Sequence, residues 1–367
     1  MPVHPIIFEP IFKTRVWGGH RLATLLNKRL PEGHAIGESW ELCDLESDQS
    51  VAVSGLVKGR TLRQIMTEWG SGLLGSAEPV DGRFPLLIKF LDAKQALSVQ
   101  VHPFDEQSAA TVTAARPKHE AWYVVHADPG SVIHKGLRSG VDESALRLAL
   151  GEGDIVSRLL TVPARKGHHH YLPGGTVHAL GAGVVVAEVQ TPSDTTFRLF
   201  DWDRIDPTTG RKRELHVEQG LRCVRFEPPP REAERQQHVA SVWTSITHLV
   251  RCESFVMQRV RMVEGVEQPI PYDEMTVWIV LEGRGEIRCA GWGEVVPFVA
   301  GDVVLVPAAL KDGRVRTLTG AMWLEVSAAV KSSLAGYDRP DPADLLIPPG
   351  GGDAFVPLNI SKKPTST

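Results

Sequence analysis

The chain has 367 residues, enough for two substantial domains, and its 42% hydrophobic and 23% charged content is ordinary for a globular protein. A formal net charge of −4, and no apolar run near the roughly 18 residues of a membrane span, give no reason to expect nucleic acid or membrane as partner. No signal-peptide pattern opens the chain and the four cysteines (Cys43, Cys223, Cys252, Cys289) lack CxxC spacing, so a cytoplasmic protein with reduced thiols is expected.

Residues 5–18 read as strand and edge loop, residues 37–44 as a short strand and residues 51–56 as another. Thr61 is an N-cap for LRQIMTEWG, a helix with Leu62, Ile65, Met66 and Trp69 on one face. Residues 84–91 and 96–102 read as two strands separated by a turn at Asp92-Ala93-Lys94, and EAWYVV from Glu120 as a further strand. Residues 141–160 break the β character. Asp142 caps a helix carrying Ala145, Leu146 and Ala149, and a second helical turn holds Ile155, Val156, Leu159 and Leu160. The strands resume through Arg204. EPPPREAERQQH reads as a linker, strands return after it, and the Pro/Gly-rich tail reads as extended with a disordered end.

In the run LSVQVHP, Gln100 and His102 point the same way, because strand side chains alternate faces. Glu120 and His178 complete a mixed nitrogen and oxygen set. Such a set suits one divalent metal per chain with open positions for substrate, zinc being the first choice. Taken singly, a histidine on a strand is more often a satisfied core residue. His168, His169 and His170 form a tag-like run, but they alternate along a strand and are assigned to barrel filling and surface.

The segment from Gly167 to His178 fills the second cupin motif, G-x5-P-x-G-x2-H, with Gly167, Pro173, Gly175 and His178. Together with GESWEL, LIKFLDAKQALSVQVHP, KHEAWYVV, LPGGTVHALGAG and SDTTFRLFDWDR, in order, the chain resembles type I mannose-6-phosphate isomerases over most of its first 220 residues. The resemblance implies a mainly β fold of two cupin, jelly-roll-like barrels with a small helical insertion in the first. It also implies that Gln100, His102, Glu120 and His178 hold the metal.

A weak internal repeat agrees with two barrels. WYVVH at Trp122 matches WIVLE at Trp278, and Gly167-x5-Pro173 matches Gly301-x5-Pro307. The first copy spends more residues between its landmarks, by about the length of the stretch 141–160, which is therefore an insertion. The expected domains are 1–226, a metal-binding barrel; 227–240, a linker; 241–335, a second barrel; and 336–367, the tail. In this register Thr276 stands for Glu120 and Asp312 for His178, so the second barrel is expected to be metal-free.

Four further residues carry over by motif position: Lys89, Lys118, Glu188 and Arg198. Lys118, two before Glu120, faces the same side of its strand. If the segments around Glu188 and Arg198 form a hairpin, the two side chains meet. The activity implied is interconversion of mannose 6-phosphate and fructose 6-phosphate, a proton moving between C1 and C2 through a cis-enediol. Glu188, Lys118 and Lys89 are the candidate bases, and Arg198 or a lysine the phosphate partner. The substrate is a small sugar phosphate, and the oligomeric state, monomer or homodimer, is left open. Two rivals remain: an iron-dependent cupin oxygenase using two histidines and one carboxylate, and a non-catalytic sugar-binding cupin. Gln100 and the flanking cations argue against the first, and the joint presence of Lys89, Lys118, Glu188 and Arg198 against the second.

Overall fold

A computed structural model describes residues 2–109, 115–227, 237–289 and 293–329. Residues 228–236 of the expected linker and the whole tail lie outside them, while His238–Ala240 at the linker's end forms a strand. Among the described residues the strands pair antiparallel throughout, in four sheets. Two come from the first part of the chain. A six-stranded sheet runs in the order Ile11–Gly19, Ile36–Leu42, Leu87–Ala93, Val184–Gln190, Glu120–Ala127, His169–Leu172. A five-stranded sheet runs Phe197–Phe200, Val99–Val101, His178–Leu180, Val132–Leu137, Leu159–Pro163. The second part supplies a seven-stranded and a four-stranded sheet, and Ile6–Ile7 crosses over to pair with Val304–Leu305 at the edge of the former.

Burial explains the stacking. Every residue of Leu87–Ala93 and of Val184–Gln190 is buried, so both faces of the six-stranded sheet are covered. One face carries Ile88, Phe90, Ala121, Tyr123, Val185 and Val189, which share a core with Phe255, Met257, Val277, Leu305 and Leu324 of the seven-stranded sheet. Each fully buried Phe or Leu there contributes roughly 1.5–3 kcal/mol. The opposite face sends Leu91, Trp122, Val124 and Val186 toward Ile133 and Leu180 of the five-stranded sheet. That inner space holds the site described below.

The helices cover flanks. Thr61 caps Leu62–Trp69 through a reciprocal pair, Gln64 N to Thr61 Oγ1 (3.3 Å) and Thr61 N to Gln64 Oε1 (3.0 Å), and Leu62, Ile65 and Met66 are buried. Asp142 accepts from Ala145 N (2.8 Å) and starts Glu143–Glu152, whose Leu146 packs on the outer face of the five-stranded sheet.

Four local expectations change. Residues 51–56 form isolated bridges and a single turn rather than a strand. Asp92 and Ala93 continue the strand Leu87–Ala93, because Asp92 is fixed by Arg21 N (2.7 Å) rather than turned outward. Leu159–Pro163 is the edge strand of the five-stranded sheet, not helix, because residues 132–137 offer it a partner. Finally, Val184–Gln190 and Phe197–Phe200 belong to different sheets, so they form no hairpin and Glu188 does not pair with Arg198.

The internal repeat is visible in register. Glu120, Ala121 and Trp122 lie opposite Leu172, Tyr171 and His170; Thr276, Val277 and Trp278 lie opposite Val306, Leu305 and Val304. The matched glycines Gly167 (φ 90°) and Gly301 (φ 100°) both turn in the left-handed region.

Candidate metal centre and active-site cavity

Two cross-strand rows build the site, one from each sheet of the first part. The five-stranded sheet aligns Arg198, Gln100 and His178 on neighbouring strands. The six-stranded sheet aligns Trp40, Lys89, Glu188 and Trp122. Directly opposed side chains on a sheet face lie about 4.5–5.5 Å apart at Cβ, so each row converges by pleat alone. The rows touch where the Trp122 indole meets the His178 ring edge-on at 5.4 Å.

At one end stand His102, Glu120 and His178, whose ligand atoms all lie within 4.8 Å of one another. The Nε2 atoms of His102 and His178 are 3.4 and 3.0 Å from the Glu120 carboxylate. Both imidazoles are oriented from behind: Nδ1 of His102 donates to Thr195 O and Nδ1 of His178 to Thr176 O, each at 2.9 Å. Each Nε2 therefore presents its lone pair to the shared centre, the arrangement usual for metal-ligating histidines. Gln100 Nε2 lies 3.3 Å from His178 Nε2, so its side-chain amide reaches the same centre, and rotation about the amide brings Oε1 there.

These groups are buried, and Lys118 is the one cation beside the Glu120 carboxylate. His102 Nε2 and both Glu120 oxygens are enclosed and lack a well-directed hydrogen bond. Unpaired buried polar atoms are costly, and a cation bound among them would satisfy all three. Burial, reinforced by the Lys118 charge, pulls His102 down to about 3, so its ring is neutral as a ligand must be. Burial pushes the Glu120 carboxyl up, but Lys118, His102 and His178 outweigh it and hold it well below the usual range. The residues present therefore fit a divalent ion.

Behind the centre, Lys118 Nζ lies 3.0 Å from Glu120 Oε2, although Lys118 precedes the strand and is held by its own N–H to Pro103 O (2.9 Å). Lys89 sits 3.7 Å from Glu188 and 3.6 Å from Asp194. Trp122 Nε1 donates to Glu188 Oε1 at 2.9 Å. Burial, with the Glu120 charge, raises the Glu188 carboxyl against the pull of Lys89, Lys118 and that hydrogen bond. Burial alone would lower Lys118, yet Glu120, Glu188 and Asp194 hold it above its usual range, so it stays protonated. Gln100, Lys89, Lys118, Glu188 and Arg198 all line one cavity of about 460 Å³.

Residues 6–123 match the family described as phosphomannose isomerase type I, catalytic domain. The chain is 34% identical to the mannose-6-phosphate isomerase ManA of Bacillus subtilis, over 85% of this chain and 96% of that one. It is 32% identical to the mannose-6-phosphate isomerase of Streptococcus mutans, over 84% and 94%. The chain belongs to the type I phosphomannose isomerases. The crystal structure of the Bacillus subtilis mannose 6-phosphate isomerase superposes with a TM-score of 0.79 at 28% identity, covering 88% of this chain and 99% of that one.

For this phosphomannose isomerase family member, seven of the eight residues expected from sequence lie in the two rows and the metal group, and Lys118, the eighth, lies against Glu120. Arg198 sits apart from Glu188, its NH1 donating to Glu214 O at 2.7 Å. The histidine run stays out of the centre: His168 is exposed, His169 half-buried and His170 buried opposite Trp122. Sequence reasoning missed Arg15, Glu38, Asp194 and Arg213, which also line the cavity. Glu38 takes hydrogen bonds from Arg15 Nε (2.7 Å) and Trp40 Nε1 (2.6 Å). Burial opposes its ionisation, but Lys89, Arg15 and Trp40 bring it down to about 2. GESWEL and SDTT carried a signal for Glu38 and Asp194, acids spaced among apolar and small residues. Arg213 lies in a charge-rich stretch and had none.

Proposed function

We propose that the chain is an aldose–ketose isomerase that interconverts mannose 6-phosphate and fructose 6-phosphate. The observation that carries this reading is the buried His102, Glu120, His178 group that Gln100 and Lys118 join, in a type I phosphomannose isomerase, to a cavity they line together with Lys89, Glu188 and Arg198. Gln100, His102, Glu120 and His178 would hold one divalent ion, zinc being the first choice for two imidazoles and a carboxylate. Bound there, the ion supplies Lewis-acid stabilisation of charge developing on adjacent substrate oxygens.

The remaining steps fall to the chain's own groups. Glu188 is the best-matched base, since burial raises its carboxyl toward the range in which it both accepts and returns a proton. It would take the proton from C2 of mannose 6-phosphate and return it at C1 of fructose 6-phosphate. Lys118, held protonated, is suited to stabilise negative charge on the enediol oxygens. Lys89, between Glu188 and Asp194, would keep both carboxylates oriented toward the sugar. Arg198, fixed by a backbone carbonyl at the far end of its row, would meet the phosphate.

The two pairs of stacked sheets, with matched registers in each half, support a two-cupin architecture with its first barrel ending near residue 226 and a second from about 241. Four free cysteines and no helix, among the described residues, long and apolar enough to cross a membrane agree with a cytoplasmic location. A coupled assay of mannose 6-phosphate isomerisation, with and without chelator, tests the reading. Activity lost on chelation and restored by zinc is expected. No turnover in metal-replete protein defeats it.

A further inference from the structure

Three guanidinium groups, Arg198, Arg213 and Arg15, line the cavity, and Arg15 is paired with Glu38 at 2.7 Å. Burial, and then the charges of Arg213, Arg204 and Arg15, pull the Arg198 guanidinium below its usual range against the help of Asp201. Arg198 Nε is also buried without a hydrogen-bond partner. Cations gathered at such cost in an enclosed space mark a place where an anion relieves the repulsion.

One loop arranges these groups. The chain leaves Arg198 along Phe197–Phe200 and reverses through Trp202 (φ 57°) and Asp203 (φ 53°), two consecutive non-glycine residues in the left-handed region. Trp202 Nε1 donates to Leu97 O (2.7 Å) and Arg204 NH1 to Ala96 O (2.9 Å), which ties the turn to the segment leading into Val99–Val101. The loop then returns to its start: His216 N donates to Arg198 O (2.7 Å), and Glu214 O receives Arg198 NH1. At its centre Asp201, 5% exposed, is gripped by Arg204 and by Arg213, whose Nε donates to Asp201 Oδ2 at 2.8 Å and whose NH2 reaches Oδ1. Asp201 thus engages one edge of the Arg213 fork and leaves NH1 for another partner. Asp206, the acid of this loop that also lines the cavity, accepts from Thr208 N (2.8 Å) within its own turn.

We infer that Arg213 is a second arginine ligand for the substrate's phosphate, closing on it opposite Arg198, and that Asp201 is the residue that positions it. The inference rests on the sugar-phosphate reading above. It assigns the 201–216 loop a purpose that its sequence alone did not reveal: it brings a second arginine to the cavity that Arg198 lines, where a phosphate dianion can take paired N–H groups from both. Arg213, with one face committed to Asp201, is pre-oriented and loses little freedom on binding.

The test uses the full, metal-loaded chain with inorganic phosphate and mannose 6-phosphate as probes. Arg213→Met should raise KM for mannose 6-phosphate and the inhibition constant of inorganic phosphate together, by roughly ten-fold or more, with a smaller fall in kcat and unchanged metal content. Arg213→Lys should recover part of both, and Asp201→Asn should fall between wild type and Arg213→Met. A merely structural role would instead lower the melting temperature and kcat without moving the phosphate constant. KM and phosphate inhibition unchanged in Arg213→Met and Arg213→Lys would overturn the inference. If wild type binds phosphate in an Arg213-dependent way yet does not isomerise mannose 6-phosphate, the functional reading fails and the phosphate seat stands.

Discussion

The two halves of the molecule place the same pair of residues at the same address and use it differently. In the first half, Glu188 lies across from Trp122 on one side and Lys89 on the other. In the second, Glu325 lies across from Trp278 and Gln258. Glu188 faces a cavity with cations around it and takes one hydrogen bond from Trp122. Glu325 is sealed in: Trp323 Nε1 donates to it at 3.1 Å, the Tyr272 hydroxyl reaches the same oxygen, and burial raises its carboxyl with no cation to oppose the rise. Trp278 stacks on Trp323 at 5.0 Å and Phe298 closes the space, so the second interior is a packed core. Thr276 stands where Glu120 does, and the His102, Glu120, His178 group has no counterpart among the described residues of the second half. A frame of strands does not make a site. Lysine for glutamine, glutamate for threonine, and the missing counterpart of the Trp323–Phe298 filling do.

This contrast can be broken by metal analysis first. His102→Ala should lose the ion, and with it several kcal/mol of transition-state stabilisation, about 10³ or more in rate. Asp312→Ala, at the matched position of the second half, should keep both ion and activity. Two ions in wild type, the second surviving replacement of His168, His169 and His170, would contradict a single centre in the first half.

The acid–base assignment gives the next largest effect. Glu188→Gln and Lys118→Ala should keep the metal and lose about 10²–10⁴ in rate, the usual cost of a missing base or charge-stabilising group. Glu325→Gln should leave the rate alone. Because burial raises the Glu188 carboxyl, wild-type kcat/KM should fall with decreasing pH at a point above the ordinary glutamate range of about 4.3. Turnover in deuterated water should place deuterium on C2 of mannose 6-phosphate or C1 of fructose 6-phosphate. Complete intramolecular transfer of a C2 label, with no exchange over many turnovers, would point to a hydride shift and leave Glu188 without its role.

Stability measurements sharpen the contrast further. Glu38 is ionised in the folded state down to about 2, below its ordinary 4.5, so it contributes stability above about 4.5 that is lost as pH falls through the folded value. Glu38→Gln should therefore destabilise the metal-free protein by roughly 3 kcal/mol at neutral pH. The gap from wild type should shrink in urea titrations as pH drops below about 4. An equal gap at pH 7 and pH 3 would show that the loss is packing rather than charge. Glu325→Gln should have the smallest effect, within about 1 kcal/mol by calorimetry, since a neutral amide replaces a carboxyl whose ionisation burial already disfavours.

Local pattern in the chain was enough for several ingredients. Alternation put Gln100 and His102 on one face, the N-caps Thr61 and Asp142 stood at the starts of their helices, and the spacing of Gly167 and Pro173 against Gly301 and Pro307 set the repeat in its register. What it did not determine was which strands become neighbours, because register and pairing are settled by burial of whole faces rather than by adjacency in the chain. Glu188 and Arg198 lie close in sequence and read as a hairpin, yet they fold into facing sheets. Lys89, far upstream, becomes the cation beside Glu188 because its strand lies between those carrying Trp40 and Glu188. Arg213 carried no local signal at all. Only the reversal of the chain at Trp202 and Asp203, stabilised by hydrogen bonds to backbone a hundred residues away, brings it to the cavity.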